Sequence, residues 1–232
     1  MIKFVYFDLG GVVELDFSKT DKWSEFKKEI GITSITDVEF EKFWEKFEYQ
    51  VCIGQDIESL IPILKENFGI GLSEGYSVLI DGFVNRFEIN KTIWPAIEEI
   101  RKSCRIGLLT NMYPGMFQAI KKRGIIPDVD WEVIIDSSVE GVAKPDPAIF
   151  KLAEERAGEK GDQILFVENS PGNIATAQKF AWETFLYDPA HPDNSSHDLL
   201  TFFRSLSLLT WVACRKFSFW EQREKLRGRV FC

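Results

Sequence analysis

Four groups of residues in this sequence have side chains suited to holding or attacking a ligand: Asp8, the pair Thr110-Asn111, Lys144, and the pair Glu168-Asn169. Asp8 closes the apolar run IKFVYF, Thr110-Asn111 closes RIGLL, Lys144 lies beyond EVIID, and Glu168-Asn169 closes ILFV. Each run reads as a strand, and an open α/β sheet binds its ligands at the carboxyl ends of its strands. Taken singly, each group has an ordinary reading. An aspartate after a strand is a turn or helix cap, a Thr-Asn pair is an N-cap, and a lysine before proline is a solvated loop residue. Their order along the chain sets them apart: a carboxylate, a hydroxyl with an amide, an amine and a second acid, all expected at one sheet edge.

In that order, FDLGGVV, LLTN, the lysine of GVAKPDPAIF, and FVENSPGNIATA resemble the four motifs of the haloacid-dehalogenase (HAD) superfamily. The resemblance runs from Met1 to about Leu206, and its glycine after the nucleophile is similar to the branch that includes sugar-phosphate phosphatases. It implies that Asp8 attacks phosphorus and forms an aspartyl-phosphate, dividing hydrolysis into two easier steps. It further implies that Gly10 and Gly11 let the backbone approach the phosphate, and that Thr110 and backbone donors near Asn111 hold its oxygens. Lys144 neutralises charge shared by Asp8 and the phosphoryl group. Magnesium is expected on Asp8, the Gly10 carbonyl, and the Glu168-Asn169 pair.

Two positions depart from the family pattern. Gly10 stands where such phosphatases carry a second aspartate that protonates the leaving oxygen and then activates water, a contribution of roughly 10² to 10⁴ in rate. Asn169 offers a neutral carbonyl in place of a carboxylate, so magnesium, which prefers carboxylate oxygens, should bind less tightly. The leading expectation is a magnesium-dependent phosphatase of a small phosphorylated metabolite. The alternatives are a catalytically weak binding or regulatory module on the same fold, and a metal-independent haloacid dehalogenase. Against the last, Gly10-Gly11 suits a phosphate, and dehalogenases place an aromatic where Gly10 sits.

These residues need a scaffold, and the chain describes one. Strand and helix patterns alternate from Trp94 onward: helix 96–102, strand 105–111, helix 116–123, strand 132–136, helix 147–157, strand 164–169, helix 174–180 and strand 184–188. Continuously apolar strands between helices predict a parallel, Rossmann-like sheet covered on both faces. From 16 to 91 the apolar residues recur at helical spacing, as in Trp23, Phe26, Ile30 and in Phe40, Phe43, Trp44, Phe47, with breakers at Gly31, Gly54, Gly69 and Gly71. That stretch reads as an all-helical cap inserted in the core, which comprises 1–15 and 92–206. The cap aromatics, Phe83 among them, read as the bundle's own core. Asp16 reads as hinge, site rim or a helix cap with Ser18, and Asn173 as a helix N-cap. The Lys179-Phe180-Ala181 segment lacks the glycine that family members often place before the last strand.

Composition sets the outer bounds. Of 232 residues, 45% are hydrophobic and 28% charged, an ordinary globular balance. The net charge of -8 argues against a nucleic-acid surface. Four cysteines without a CxxC pair and two histidines argue against a zinc site. No apolar run reaches the roughly 18 residues of a membrane span, and MIKFVYFDLGG does not resemble a signal peptide, so a cytoplasmic protein is expected. Residues 207–232, basic and aromatic, break the pattern and read as an atypical tail: either an amphipathic docking helix or a loosely ordered extension.

Overall fold

The computed structural model describes residues 1–206 of the chain, and the atypical tail lies outside them. The first strand, β1 (Phe4–Phe7), is buried along its whole length and ends at the Asp8 turn. After a short β2 (Glu14–Leu15), the chain leaves the core through α1 (Lys22–Glu29), α2 (Asp37–Cys52), a 3-10 turn and α3 (Ile61–Phe68). Gly31, Gly54 and Gly69 follow these helices, all with left-handed φ of 62 to 118°, which explains why breakers sit there. A π-helical turn (Val78–Phe83) and a 3-10 turn lead back to β3 (Glu88–Ile89), which pairs antiparallel with β2.

The remainder alternates as α4 (Trp94–Ile100), β4 (Arg105–Thr110), α5 (Met116–Lys122), β5 (Val133–Asp136), α6 (Ser137–Glu140), α7 (Pro147–Ala157), β6 (Ile164–Glu168), α8 (Pro171–Lys179) and β7 (Glu183–Leu186). Residues 192–206 are helical. The strands form one parallel sheet in the order β5-β4-β1-β6-β7. β1 therefore lies between β4 and β6, and the strand ends carrying Asp8, Thr110 and Glu168 are side by side.

Alternate residues of β1 feed opposite faces: Phe4 and Tyr6 pack with Phe150, Phe166 and Trp182, while Val5 and Phe7 join a cluster with Leu108 and Val167. That second cluster continues without a break into the cap through Phe26, Phe40, Trp44, Leu64 and Phe83. The fold class expected from the alternation, a parallel α/β sheet with an inserted helical cap, is the one observed. The two-residue strand β3 is a departure from the all-helical reading of the insert. A pair so short carries no period to detect, and it forms only because β2 lies opposite.

Candidate functional site

Three ionisable side chains meet at the carboxyl edge of the sheet. The Lys144 amine stands 2.8 Å from Asp8 Oδ1 and 2.7 Å from Glu168 Oε2. All three are buried, Glu168 completely. Asp8 is set by the β1–β6 ladder, its amide bonding the Val167 carbonyl at 2.9 Å, and its Oδ1 also accepts from the Leu9 amide at 2.7 Å.

Glu168 is fully engaged. Its Oε1 accepts from the amides of Asn169 and Ser170, each at 2.9 Å, and its Oε2 accepts from Lys144 and from Asn173 Nδ2 at 3.0 Å. Asn173 is thus not the cap of α8; it sits inside that helix and anchors Glu168. Sequence spacing placed it near the helix start but carried no sign of this partner.

Lys144 has its own clamp. Asn111 Nδ2 donates to the Lys144 carbonyl at 2.9 Å, and Asn111 Oδ1 accepts from the Lys144 amide at 2.8 Å. The Asn111 side chain therefore grips the loop bearing the lysine. Thr110 Oγ1 is buried and has no hydrogen-bond partner among the described residues. Asp136, at the end of the adjacent β5, caps α6 through Ser138 instead.

Electrostatics follow from one lysine serving two buried carboxylates. Burial pushes the Asp8 carboxyl up to about 8, with Glu168 adding to the rise and Lys144 opposing it. Glu168 is held below the usual carboxylate range: burial opposes this, but Lys144 and its other hydrogen bonds prevail. Burial lowers Lys144, yet the two carboxylates outweigh it and hold the ammonium form. Nearby Glu14 is buried, with Oε2 unpartnered among the described residues, and burial followed by Asp16 and Asp8 pushes its carboxyl well above the usual range.

The two glycines of the turn differ. Gly11 has φ 73°, and a Cβ there would stand 2.0 Å from Asn169 Nδ2, so both backbone and space demand glycine. Gly10 lies outside the left-handed region, and a Cβ there would first meet the Asp16 carboxylate, 2.6 Å away. Asp16 caps no helix: its Oδ1 accepts from the Ser18 amide at 2.8 Å, while α1 starts at Lys22.

A cavity of about 660 Å³ opens between sheet edge and cap. Asn111, Lys144, Ser170 and Asn173 line it from the core, Asp16 from the first residue of the insert, and Trp23, Glu41, Trp44, Glu45, Glu48, Tyr49 and Phe83 from the cap. Trp23, Trp44 and Phe83 thus belong to both the apolar cluster and the cavity wall, whereas Phe43 and Phe47 pack against the cluster without lining the cavity. No cluster of three or more His, Cys, Asp or Glu side chains is set to hold a metal among the described residues. Asn169 Nδ2 donates to Ser18 Oγ at 3.1 Å, which holds the amide over the Gly11 turn.

The profile of the haloacid dehalogenase-like hydrolases matches residues 15–180, a stretch that begins after Asp8. Among solved structures, a HAD-like family hydrolase from Porphyromonas gingivalis superposes with a TM-score of 0.64 at 23% identity, over 82% of this chain and 92% of that one. A HAD family enzyme from Bacteroides thetaiotaomicron, in complex with magnesium and inorganic phosphate, gives 0.61 at 21%, over 81% and 94%. An L-2-haloacid dehalogenase from Xanthobacter autotrophicus, with chloropropionic acid covalently bound, gives 0.59 at 18%, over 81% and 78%. At these identities the likeness is one of fold. A curated relative, mouse acyl-CoA dehydrogenase family member 10, is 27% identical over 95 residues, which span 40% of this chain and only 9% of that protein.

Proposed function

The chain belongs to the haloacid dehalogenase-like hydrolases, and from that premise we propose that it is a phosphatase of a small phosphorylated metabolite with Asp8 as the nucleophile. The observation that carries this reading is the buried Asp8–Lys144–Glu168 group beside an unpartnered Thr110 hydroxyl. A buried polar atom without a partner is rare in a folded protein, and a phosphoryl oxygen supplies what Thr110 lacks. Lys144, held as a cation by two carboxylates, offsets charge that moves onto the phosphoryl oxygens as Asp8 attacks. Asn111 and Glu168 position that lysine, one through the backbone and the other through the amine. Phosphoryl transfer asks mainly for positioning and charge compensation, which this set provides.

The donor set also suits magnesium, a hard cation that binds oxygen. Asp8, the Gly10 carbonyl and Asn169 would hold it, with Glu168 adding negative charge from behind because its oxygens are already engaged. When bound, the ion draws charge from the phosphoryl oxygens. One carboxylate among these direct donors supports weak binding, and titration calorimetry should return a dissociation constant above the micromolar range.

A second reading, haloacid dehalogenase, draws support from Asn169 and Gly10, which remove two acids that a metal-free displacement at carbon does not need. One experiment separates the two. Hydrolysis of p-nitrophenyl phosphate is followed with and without magnesium, in wild type and Asp8→Asn, beside chloride release from 2-chloropropionate. Magnesium-dependent turnover that falls about 10³-fold or more in Asp8→Asn is expected. Chloride release without phosphate hydrolysis, or equal turnover in both proteins, would sink the phosphatase reading.

A further inference from the structure

The alcohol of a phosphate ester leaves as an alkoxide unless a positioned acid protonates it. The turn after Asp8 offers none, because Gly10 and Gly11 have no side chains. Around the cavity, Lys144 is held charged between two carboxylates, Glu168 has all its oxygens engaged, and Glu41 is tied to Lys27 and Trp23. Asp16 differs from all of these, and from Glu45 and Glu48 on the cap wall, in lying against the Gly10 turn. It lines the same cavity as Lys144, whose amine touches Asp8, and the Ser18 amide fixes its Oδ1. Its Oδ2 lies 2.6 Å from the point where a Cβ on Gly10 would stand. Since the Gly10 backbone admits an ordinary side chain, the Asp16 carboxylate is what fills that space.

We propose that Asp16, reaching in from beyond β2, is the general acid and base of the reaction, occupying the room left vacant by the glycine two residues after the nucleophile. The assignment rests on the phosphatase reading above. In the first step an Asp8 oxygen bonds to phosphorus, the bond from phosphorus to the ester oxygen breaks, and the Asp16 carboxylic acid gives its proton to that oxygen. In the second step the Asp16 carboxylate takes a proton from water as the water oxygen bonds to phosphorus. The bond from Asp8 to phosphorus then breaks, releasing inorganic phosphate and restoring the Asp8 carboxylate and the Asp16 acid.

The test compares wild type, Asp16→Asn, Asp16→Ala and the exchange variant Gly10→Asp/Asp16→Ala, with magnesium, on aryl phosphates of graded leaving-group acidity and on an alkyl phosphate. In Asp16→Asn, kcat/KM should fall about 10²-fold or more for the alkyl ester and less than about tenfold for p-nitrophenyl phosphate, which steepens the dependence on the leaving group. The exchange variant should regain about tenfold or more over Asp16→Ala on the alkyl ester, since its new carboxylate enters the vacated room. Equal losses across all leaving groups in Asp16→Asn, or rates equal to wild type, would overturn the role of Asp16 while Asp8-dependent turnover leaves the phosphatase reading standing. A wild type without turnover of any phosphate ester overturns both.

Discussion

Asp8 and Glu168 compete for one ammonium group, and Glu168 wins because two backbone amides and Asn173 support it as well. The Asp8 carboxyl is left pushed from 3.8 to about 8, mainly by burial. The folded protein therefore holds this proton more tightly than the unfolded chain does. The associated stability is present in full below the unfolded value and drains away as pH rises toward the folded one. Asp8→Asn has no such proton to lose. In metal-free protein its unfolding free energy should gain on that of wild type steadily between pH 3.8 and about 8, by at most about 1.4 kcal/mol per pH unit. Unfolding scans in chelator across that range check this, and a constant gap would contradict the shift. Nothing in the sequence marks which acid of the pair is the strained one, because the answer lies in the hydrogen bonds around Glu168.

The elements hold these groups through their ends. The turn from α8 into β7 passes through Ala181 at φ 59°, a conformation natural to glycine and costly to alanine. The sequence shows the missing glycine; the dihedral explains why a glycine suits the place. Ala181→Gly should stabilise the fold by about 0.5–1 kcal/mol in urea unfolding, since relief of the left-handed strain outweighs the added freedom of the unfolded chain. A loss of stability would mean that this turn relaxes without strain. Helix and strand bodies were legible from apolar period, whereas the β2–β3 pair was not, because two residues have no period and the partner lies far along the chain.

At the level of the whole molecule, cap and core are joined by polar contacts as well as by one continuous apolar cluster. Ser137 is fully buried; its hydroxyl donates to the Cys52 carbonyl at the end of α2 and accepts from the Met112 amide beyond β4. Ser137→Ala leaves that amide and carbonyl without this partner, which costs about 1–3 kcal/mol. It should lower the urea midpoint and also kcat/KM, since Met112 follows directly on the Asn111 that grips Lys144. A variant as stable as wild type would show that cap and core are held by the apolar cluster alone.

The sequence by itself determined the parallel sheet, the insert, and the order in which Asp8, Thr110, Lys144 and Glu168 reach the sheet edge. Apolar period and strand-end position are local properties, and parallel strands buried on both faces leave few ways to assemble. Only the tertiary structure decided what each group touches. Asn111 turned out to hold a backbone, Asn173 to brace Glu168, and Asp16 to fill the space beside Gly10. The first two are hydrogen bonds of 2.8 and 3.0 Å, and the third is a close approach between two parts of the loop region after β1. Distances on that scale are set by how helices and strands pack against one another, which no spacing along a single chain encodes.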